Sequence, residues 1–327
     1  MNARPLLSRV ADSVYWMSRY IERAENVARF VDVNLHLILD SPASLGEQWK
    51  PLVDTSGDAA AFDERYGAPT RDNVIEFLTF DSRNPNSILS CLRAARENAR
   101  TVRDTISSEM WEQANVIYLK LNDAISSGRA ATSPHELFHD IKMGCHLFQG
   151  ITDSTMSHNE TWRFIRLGRL LERADKTTRI LDVKYFLLLP RVEHVGTSID
   201  DIQWSAVLKS VSGFEMYRKR FGRLSPPSVV DFLLFDGDFP RSVRYCVGRA
   251  AEALHIITGT PQGDYRNEAE RRLGQLRAEL DYLSVAEVIA GGLHEFLDGF
   301  QTRLNVIDDA VFNTFFAARP LDQAAAG

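Results

Sequence analysis

Between Leu6 and Leu39 neither proline nor glycine interrupts the chain, and Trp16, Tyr20, Ala24, Val27 and Val31 recur at steps of three and four residues. That spacing lines one side of an α-helix and does not fit the two-residue period of a strand. It predicts a long amphipathic helix. Turned by about 100° per residue, Trp16, Met17, Tyr20, Ile21, Ala24, Val27, Ala28 and Val31 fill one arc. Arg19, Glu22, Glu25, Asn26, Arg29 and Asp32 fill the opposite one, with Phe30 alone among the charges. The same periodicity predicts helices near 71–80, 86–107, 109–126, 134–152, 155–188, 200–212, 227–235, 241–258, 264–283 and 285–316, the last interrupted at Gly291-Gly292 or Gly299. No strand is predicted, because the nearest candidate, 185–189, continues a helical pattern and is stopped by Pro190. Breaks at Asp40-Ser-Pro, Gly128, Pro190, Pro226-Pro227 and Gly259-Thr-Pro read as corners of a bundle and not as a flexible linker.

The opening helix recurs. At an offset of 150, residues 15–33 lie over 165–183 and match Arg19/Arg169, Glu22/Glu172, Arg23/Arg173, Ala24/Ala174, Arg29/Arg179, Asp32/Asp182 and Val33/Val183. At an offset of 155, Gln48-Trp49 meets Gln203-Trp204, and VIEFLTFDSRNPNSILSC (74–91) meets VVDFLLFDGDFPRSVRYC (229–246). A five-residue insertion reconciles the two offsets. Chance yields amphipathic spacing easily, but not this shared order of blocks. The expectation is an all-α helical bundle of two duplicated repeats, 1–150 and 151–327. Its two long helices would pack through equivalent apolar arcs as one pseudo-twofold body.

Composition bounds the function classes. With 327 residues, 44% hydrophobic, 25% charged, 19 Gly and 12 Pro, the chain can bury a large core and is neither collagen-like nor disordered. A formal charge of −6 gives no surplus for a polyanion, so nucleic acid is not an expected partner. Cys91, Cys145 and Cys246 are an odd number without Cys-x-x-Cys spacing, which suggests a reducing compartment. Charges at Arg4, Arg9, Asp12, Arg19 and Glu22 interrupt what a signal peptide would need, and no run of 18 apolar residues occurs. A cytoplasmic location without a membrane span is expected.

Two sets of charged residues stand out. Arg19, Glu22, Arg23, Arg29 and Asp32, with Arg169, Glu172, Arg173, Arg179 and Asp182, read either as solvated faces with Arg19–Glu22, Glu25–Arg29 and Arg29–Asp32 neighbours, or as faces that meet at the bundle centre or line a cleft for a ligand or partner. The second set follows Pro85 and Pro240, each expected at a first helical position, with Asp81 and Asp236 upstream and Ser87 and Ser242 in the first turn. Arg241 and Arg244 are cations where a helix N-terminus favours anions, so something negative should lie near them. Asp236 and Asp238 could supply it locally, or a bound phosphate or carboxylate could.

The string His135-Glu136-Leu137-Phe138-His139 spells H-E-x-x-H, a helical zinc signature. Ser133 and Glu136 read as a capping box instead, and the third ligand position would be Cys145. Glu136-x-x-His139 and Glu252-x-x-His255 occupy non-equivalent places in the repeat, which argues against a di-iron bundle. Asp200-Asp201 and Asp308-Asp309 are read as caps or solvated residues. No metal and no cofactor are assigned.

The segments LLSRVADSVYWMSRYIERAENVARFVDV and TWRFIRLGRLLERADKTTRILDV, with FDSRNPNSI, AARENARTVRDTISSEMWEQAN and FPRSVRYC, resemble the alpha-E family over nearly the whole chain. These are bacterial all-helical proteins named for a Glu-Arg motif, here at Glu22-Arg23 and Glu172-Arg173. The resemblance implies a cytoplasmic protein found alongside ATP-grasp ligases and transglutaminase-like proteins, and sometimes proteasome-like peptidases, in systems that make, attach or process peptides. The expectation is a non-catalytic scaffold or substrate-binding partner of an ATP-grasp amide ligase, with an acidic or peptidic ligand on the Arg/Glu/Asp faces. The alternative is an enzyme with a charged site between the repeats.

Overall fold

A computed structural model describes residues 6–40, 49–187 and 198–317. In chain order the helices are α1 (Ser8–Asp40), α2 (Lys50–Ser56), α3 (Ala59–Tyr66), α4 (Arg71–Ile75), α5 (Ile88–Thr101), α6 (Ser108–Ser126), α7 (Arg129–Thr132), α8 (Pro134–Thr155), α9 (Glu160–Leu187), α10 (Ser198–Ser210), α11 (Phe214–Phe221), α12 (Pro226–Phe235), α13 (Val243–Thr258), α14 (Glu268–Tyr282), α15 (Val285–Gly291) and α16 (Leu293–Val311). The winding loosens to π geometry over Glu76–Phe80 and Phe312–Phe316. The protein is all-α, with no strand among the described residues. No described helix is long and apolar enough to cross a membrane.

The two long helices α1 and α9 lie against each other at the centre. Helices α5 and α8 pack on α1, and α13 and α16 pack on α9. Where they cross, Gly168 comes so close to α1 that a Cβ there would stand 2.5 Å from the Tyr15 carbonyl oxygen and 2.8 Å from Ser18 Oγ. The crossing continues through charged side chains, so the expected contact through apolar arcs is corrected. In α1 only a narrow stripe through Asp12, Trp16, Tyr20 and Arg23 stays half-buried over 11–32. Arg19, Glu22, Glu25, Asn26, Arg29 and Asp32 are all buried, and so is Phe30. A helix buried all round is usually apolar all round. This one carries charges because its neighbours bring matching ones.

Local boundaries shift for identifiable reasons. Pro85 and Pro240 precede the helices instead of opening them. Ser87 and Ser242 are the N-caps, each accepting a hydrogen bond from the backbone three residues on, Ser90 and Tyr245. The expected helix at 86–107 ends at Thr101, and that at 155–188 begins at Glu160 after a break. The final segment breaks at Gly292, which has φ 96°, while Gly299 is carried inside α16. Helices α2, α3, α7 and α11 are too short for periodicity to reveal. Ser133 makes no side-chain cap, so the capping box assigned to it is absent; a complete one joins Ser284 and Glu287. The break following Asp40, Gln48 and the stop at Pro190 lie outside the described residues.

Candidate functional site

Glu22 and Glu172 face each other's helices at the crossing. Both side chains are 0% exposed. Arg173 donates from Nε and Nη2 to the two oxygens of Glu22, both at 2.8 Å. Arg23 donates in the same forked manner to Glu172 at 2.6 and 2.9 Å. The Glu of each Glu-Arg pair is therefore held by the Arg of the other pair. Bidentate guanidinium–carboxylate contact of this kind is strong and directional.

Further donors complete each carboxylate. Glu22 also accepts from Asn26 Nδ2 at 3.0 Å, Gln149 Nε2 at 2.9 Å and Arg241 Nη1 at 3.4 Å. Glu172 also accepts from Arg19 Nε at 2.9 Å, with Lys176 at 3.7 Å. Burial alone would raise both carboxyl pKa values, but the neighbouring guanidinium groups overcome it and hold Glu22 below, and Glu172 well below, the ordinary value. Glu25 is held low in the same way by Arg241 and Arg29. These carboxylates stay ionised and occupied, which suits a clamp better than a general base.

The remaining residues of the first set lie along the same seam. Arg29 pairs with Glu25 and donates to Ser212 Oγ. Arg179 pairs with Asp175 at 2.9 Å. Arg19 also reaches Asp308, which accepts from the Tyr15 hydroxyl at 2.7 Å, and Arg169 lies 3.6 Å from Asp153. Asp32 meets Lys142 at 2.5 Å and His135 at 2.9 Å, and Asp182 meets His294 at 2.8 Å. Of the expected intrahelical neighbours only Glu25 and Arg29 form an ion pair. Arg19–Glu22 and Arg29–Asp32 give way to long-range partners, so the solvated-face reading is overturned. Asp308, taken for a cap or solvated residue, is likewise part of the network.

The second set separates. Arg241 is buried ahead of α13 and donates to Glu25 at 2.7 Å and Asn26 Oδ1 at 3.1 Å. Its negative counterpart is thus supplied by α1, not by Asp236 or Asp238. Arg244 pairs with Asp281 at 3.0 Å. Asp236 pairs with Arg220 and accepts from the backbone N–H groups of Asp238 and Phe239 at 2.8 and 2.7 Å. Asp81 holds Arg83 and accepts from the Tyr66 hydroxyl at 3.1 Å. Both aspartates are occupied by their own turns and by an upstream helix, α3 for Asp81 and α11 for Asp236, and neither joins the central network.

Over Glu172 opens a polar cleft of about 210 Å³. Arg19, Arg23, Lys176 and Arg179 bring positive charge to it, and Asp58, Asp175 and Asp308 bring negative charge. Asn86 sits at its edge, accepting from Arg23 at 2.5 Å and donating to Asp58 at 3.0 Å. The sequence reading missed Asp58, Asn86, Gln149, Asp153, Asp175, Lys176 and Asp308. Asp153 and Asp308 share the 155 offset, a signal present in the chain but hidden among ordinary surface-type acids. Asp175 lies at the 150 offset from Glu25, the acid that follows Glu-Arg-Ala in both copies, while Asp58, Asn86, Gln149 and Lys176 have no pattern that distinguishes them from solvated residues.

Other chemistry is less favoured here. Burial pushes the Cys91 and Cys246 thiols up to about 12 and Cys145 well above its ordinary value, which leaves no thiolate nucleophile among them near neutral pH. Glu136 and His139 are exposed, Glu252 pairs with Arg249, and His255 Nδ1 lies 3.1 Å from the Thr260 carbonyl oxygen. Among the described residues, Glu136, His139, Glu252 and His255 gather no set of three possible metal ligands, so neither the H-E-x-x-H signature nor the two Glu-x-x-His elements assemble.

The depressed carboxylates set a pH dependence. A folded pKa below the unfolded one contributes stability that is present above the unfolded value, about 4.5 for Glu, and is lost as pH falls toward the folded value. The thermal midpoint is therefore expected to fall steeply below about pH 4.5. Circular dichroism melts should show a shallower acid loss in a Glu22→Gln, Glu172→Gln variant, which starts from lower stability at neutral pH.

Comparison with known proteins agrees with this architecture. The Alpha-E family, described as a predicted alpha-helical domain with a conserved ER motif, matches residues 6–316. Uncharacterized proteins of Mycobacterium bovis and of two Mycobacterium tuberculosis strains are 26% identical over 94% of this chain. The match spans 37% of each relative's length. No solved structure matches the chain. With the match covering all but the ends, and both Glu-Arg pairs locked across the central crossing, the chain belongs to the Alpha-E family.

Proposed function

We propose that this protein is a cytoplasmic, non-catalytic helical scaffold or substrate-binding partner of an ATP-grasp amide ligase or transglutaminase-like peptide-modification system. The polar cleft over Glu172 is its site for an acidic or peptidic ligand. The observation that carries this reading is the cleft's mixed lining, four cationic side chains beside three carboxylates. Such a surface suits the carboxylate and amine ends of a peptide. Beneath it the acids are already paired, so binding is better supported than proton transfer. The longer curated relatives, most of whose length lies outside the match, are compatible with a unit that works beside another module.

We further infer that the two halves, 1–150 and 151–327, are copies related by a pseudo-twofold within one domain. Three exchanges support it: Arg23–Glu172 with Arg173–Glu22, Arg19–Asp308 with Arg169–Asp153, and Arg29 at Ser212 with Arg179 at Gly57. Gly57 and Ser212 both have positive φ, 82° and 52°. Cys91 and Cys246 both donate to the carbonyl six residues earlier, of Pro85 and Pro240.

The test is calorimetric titration of the full chain with the dipeptide Glu-Glu, alongside co-purification with an ATP-grasp ligase from the same organism. Glu-Glu should bind, and Lys176→Ala should weaken it about tenfold, the worth of one charge-assisted hydrogen bond, with the helical dichroism unchanged. Absence of both dipeptide heat and ligase co-purification would discard the proposal. One observation favours the alternative, an enzyme with a charged site between the halves. Burial lowers the His146 pKa, leaving a neutral imidazole 3.1 Å from Arg29 and 3.6 Å from Glu25. In that case His146→Ala would abolish turnover and retain binding.

A further inference from the structure

Away from the cleft, the far end of the α1 ionic face meets the start of α8. Asp32 and His36 stand one helical turn apart on α1, and His135 is the second residue of α8. One ligand atom from each of the three lies within 4.8 Å of the other two. The two imidazole rings are 4.2 Å apart, centre to centre. A His135 ring nitrogen is 2.9 Å and a His36 ring nitrogen 3.7 Å from the same carboxylate oxygen, Oδ1 of Asp32. Two imidazoles and a carboxylate converging on one point form a donor set typical of transition metals.

The surroundings hold that set in place. Lys142 occupies the other oxygen, Oδ2, at 2.5 Å and so fixes the carboxylate while leaving Oδ1 to the histidines. His36 Nδ1, the nitrogen 3.7 Å from Oδ1, is also 2.9 Å from the Asp32 carbonyl oxygen, so a metal held on this nitrogen replaces that contact. A tetrahedral zinc ion needs donors at about 2.0–2.1 Å, which sets them about 3.3 Å from one another, so His36 must close in by up to roughly 1.5 Å while His135 and Asp32 part slightly. The His36 side chain is 61% exposed and can move that far. Asp182, which aligns with Asp32, keeps one histidine, His294, but the sequence there has Phe186 in place of His36. Charge neutralisation does not require the extra imidazole, because Lys142 already pairs with Asp32.

We propose that Asp32, His36 and His135 bind one divalent transition-metal ion of the zinc class, with three protein ligands and a fourth position open to water or a ligand's carboxylate. The site uses the first histidine of the H-E-x-x-H string but neither its glutamate nor its second histidine. It is independent of the polar cleft, and its failure would leave the cleft reading standing.

The experiment is a titration of the untagged full chain with Co²⁺, followed by visible d–d absorption and by competition with Zn²⁺. One ion per chain should bind with the absorption of a four- or five-coordinate nitrogen–oxygen site, and Zn²⁺ should displace it. His36→Ala, which alters an exposed side chain and should leave the dichroism unchanged, should weaken binding by about 100-fold or more, beyond what loss of an outer-shell contact costs. His135→Ala should do the same. His139→Ala and His294→Ala should bind as the parent chain does. Absence of stoichiometric Co²⁺ binding in the parent chain, or binding that survives His36→Ala, overturns the proposal.

Discussion

Glu172→Ala is expected to destabilise the fold by about 3–5 kcal/mol, the cost of leaving buried charges without their partner. Arg19 and Arg23 both donate to this carboxylate, and Lys176 lies beside it. With the carboxylate gone, three cations would converge on a buried space. Arg19 would keep Asp308 and Arg23 would keep Asn86, so the chain should still fold at low temperature. Glu22→Ala should cost a similar amount, because Arg173 and Arg241 lose the same kind of partner. Chemical denaturation of the single variants and of Glu22→Ala, Arg173→Ala gives the coupling. The double variant should lose clearly less than the sum of its singles, since removing both members leaves no uncompensated charge. An exposed pair such as Arg272–Glu268 serves as the reference and should contribute far less, because solvent screens it. Equal losses at the two places would refute the clamp.

Gly168→Val should be nearly as damaging, at about 3 kcal/mol, for a steric reason. The new Cβ would stand 2.5 Å from a backbone oxygen of α1, an atom that no rotamer change can move. The helices would have to separate, and the forked pairs one turn further along would lengthen with them. Helix propensity runs the other way, because glycine inside a helix costs about 1 kcal/mol relative to alanine. Gly274→Ala isolates that contribution: a Cβ at Gly274 in α14 meets nothing within 4 Å. That variant should gain up to about 1 kcal/mol. Opposite signs at the two glycines, measured by thermal melts, would establish that close approach of α1 and α9 sets the crossing.

Much of the frame was legible in the chain because helical period is a local property. Trp16 to Val31 announce α1, and the spacing of 165–183 announces α9, without knowledge of what either touches. The serines at 87 and 242 were placed inside the first turn, where they are in fact the N-caps just ahead of it. The preceding prolines looked like helix starts, and only the hydrogen bonds to Ser90 and Tyr245 show where winding begins. Helices α2 and α3 left no readable period, and the period over 71–80 and 285–316 did not reveal that both segments loosen to π geometry at their ends.

The charged residues illustrate the limit. Arg19, Glu22 and Arg23 could be picked out because the order Arg-x-x-Glu-Arg recurs at 169–173. Whether they faced water was undecidable, since a polar arc has the same periodicity on a surface as in a buried ionic seam. Arg241 shows the point from the other side. Its awkward position ahead of a helix required a negative neighbour, and the local aspartates were the natural suspects. The partner is Glu25, 216 residues away.

The sequence by itself determined an all-helical body and marked the two Glu-Arg pairs, because both follow from repeating order along one chain. Only the tertiary structure decided that each glutamate belongs to the other pair's arginine, that Gly168 sets the approach, and that Asp32 gathers two histidines. Pairing across a crossing depends on the relative placement of helices, which side-chain spacing within a single helix does not encode.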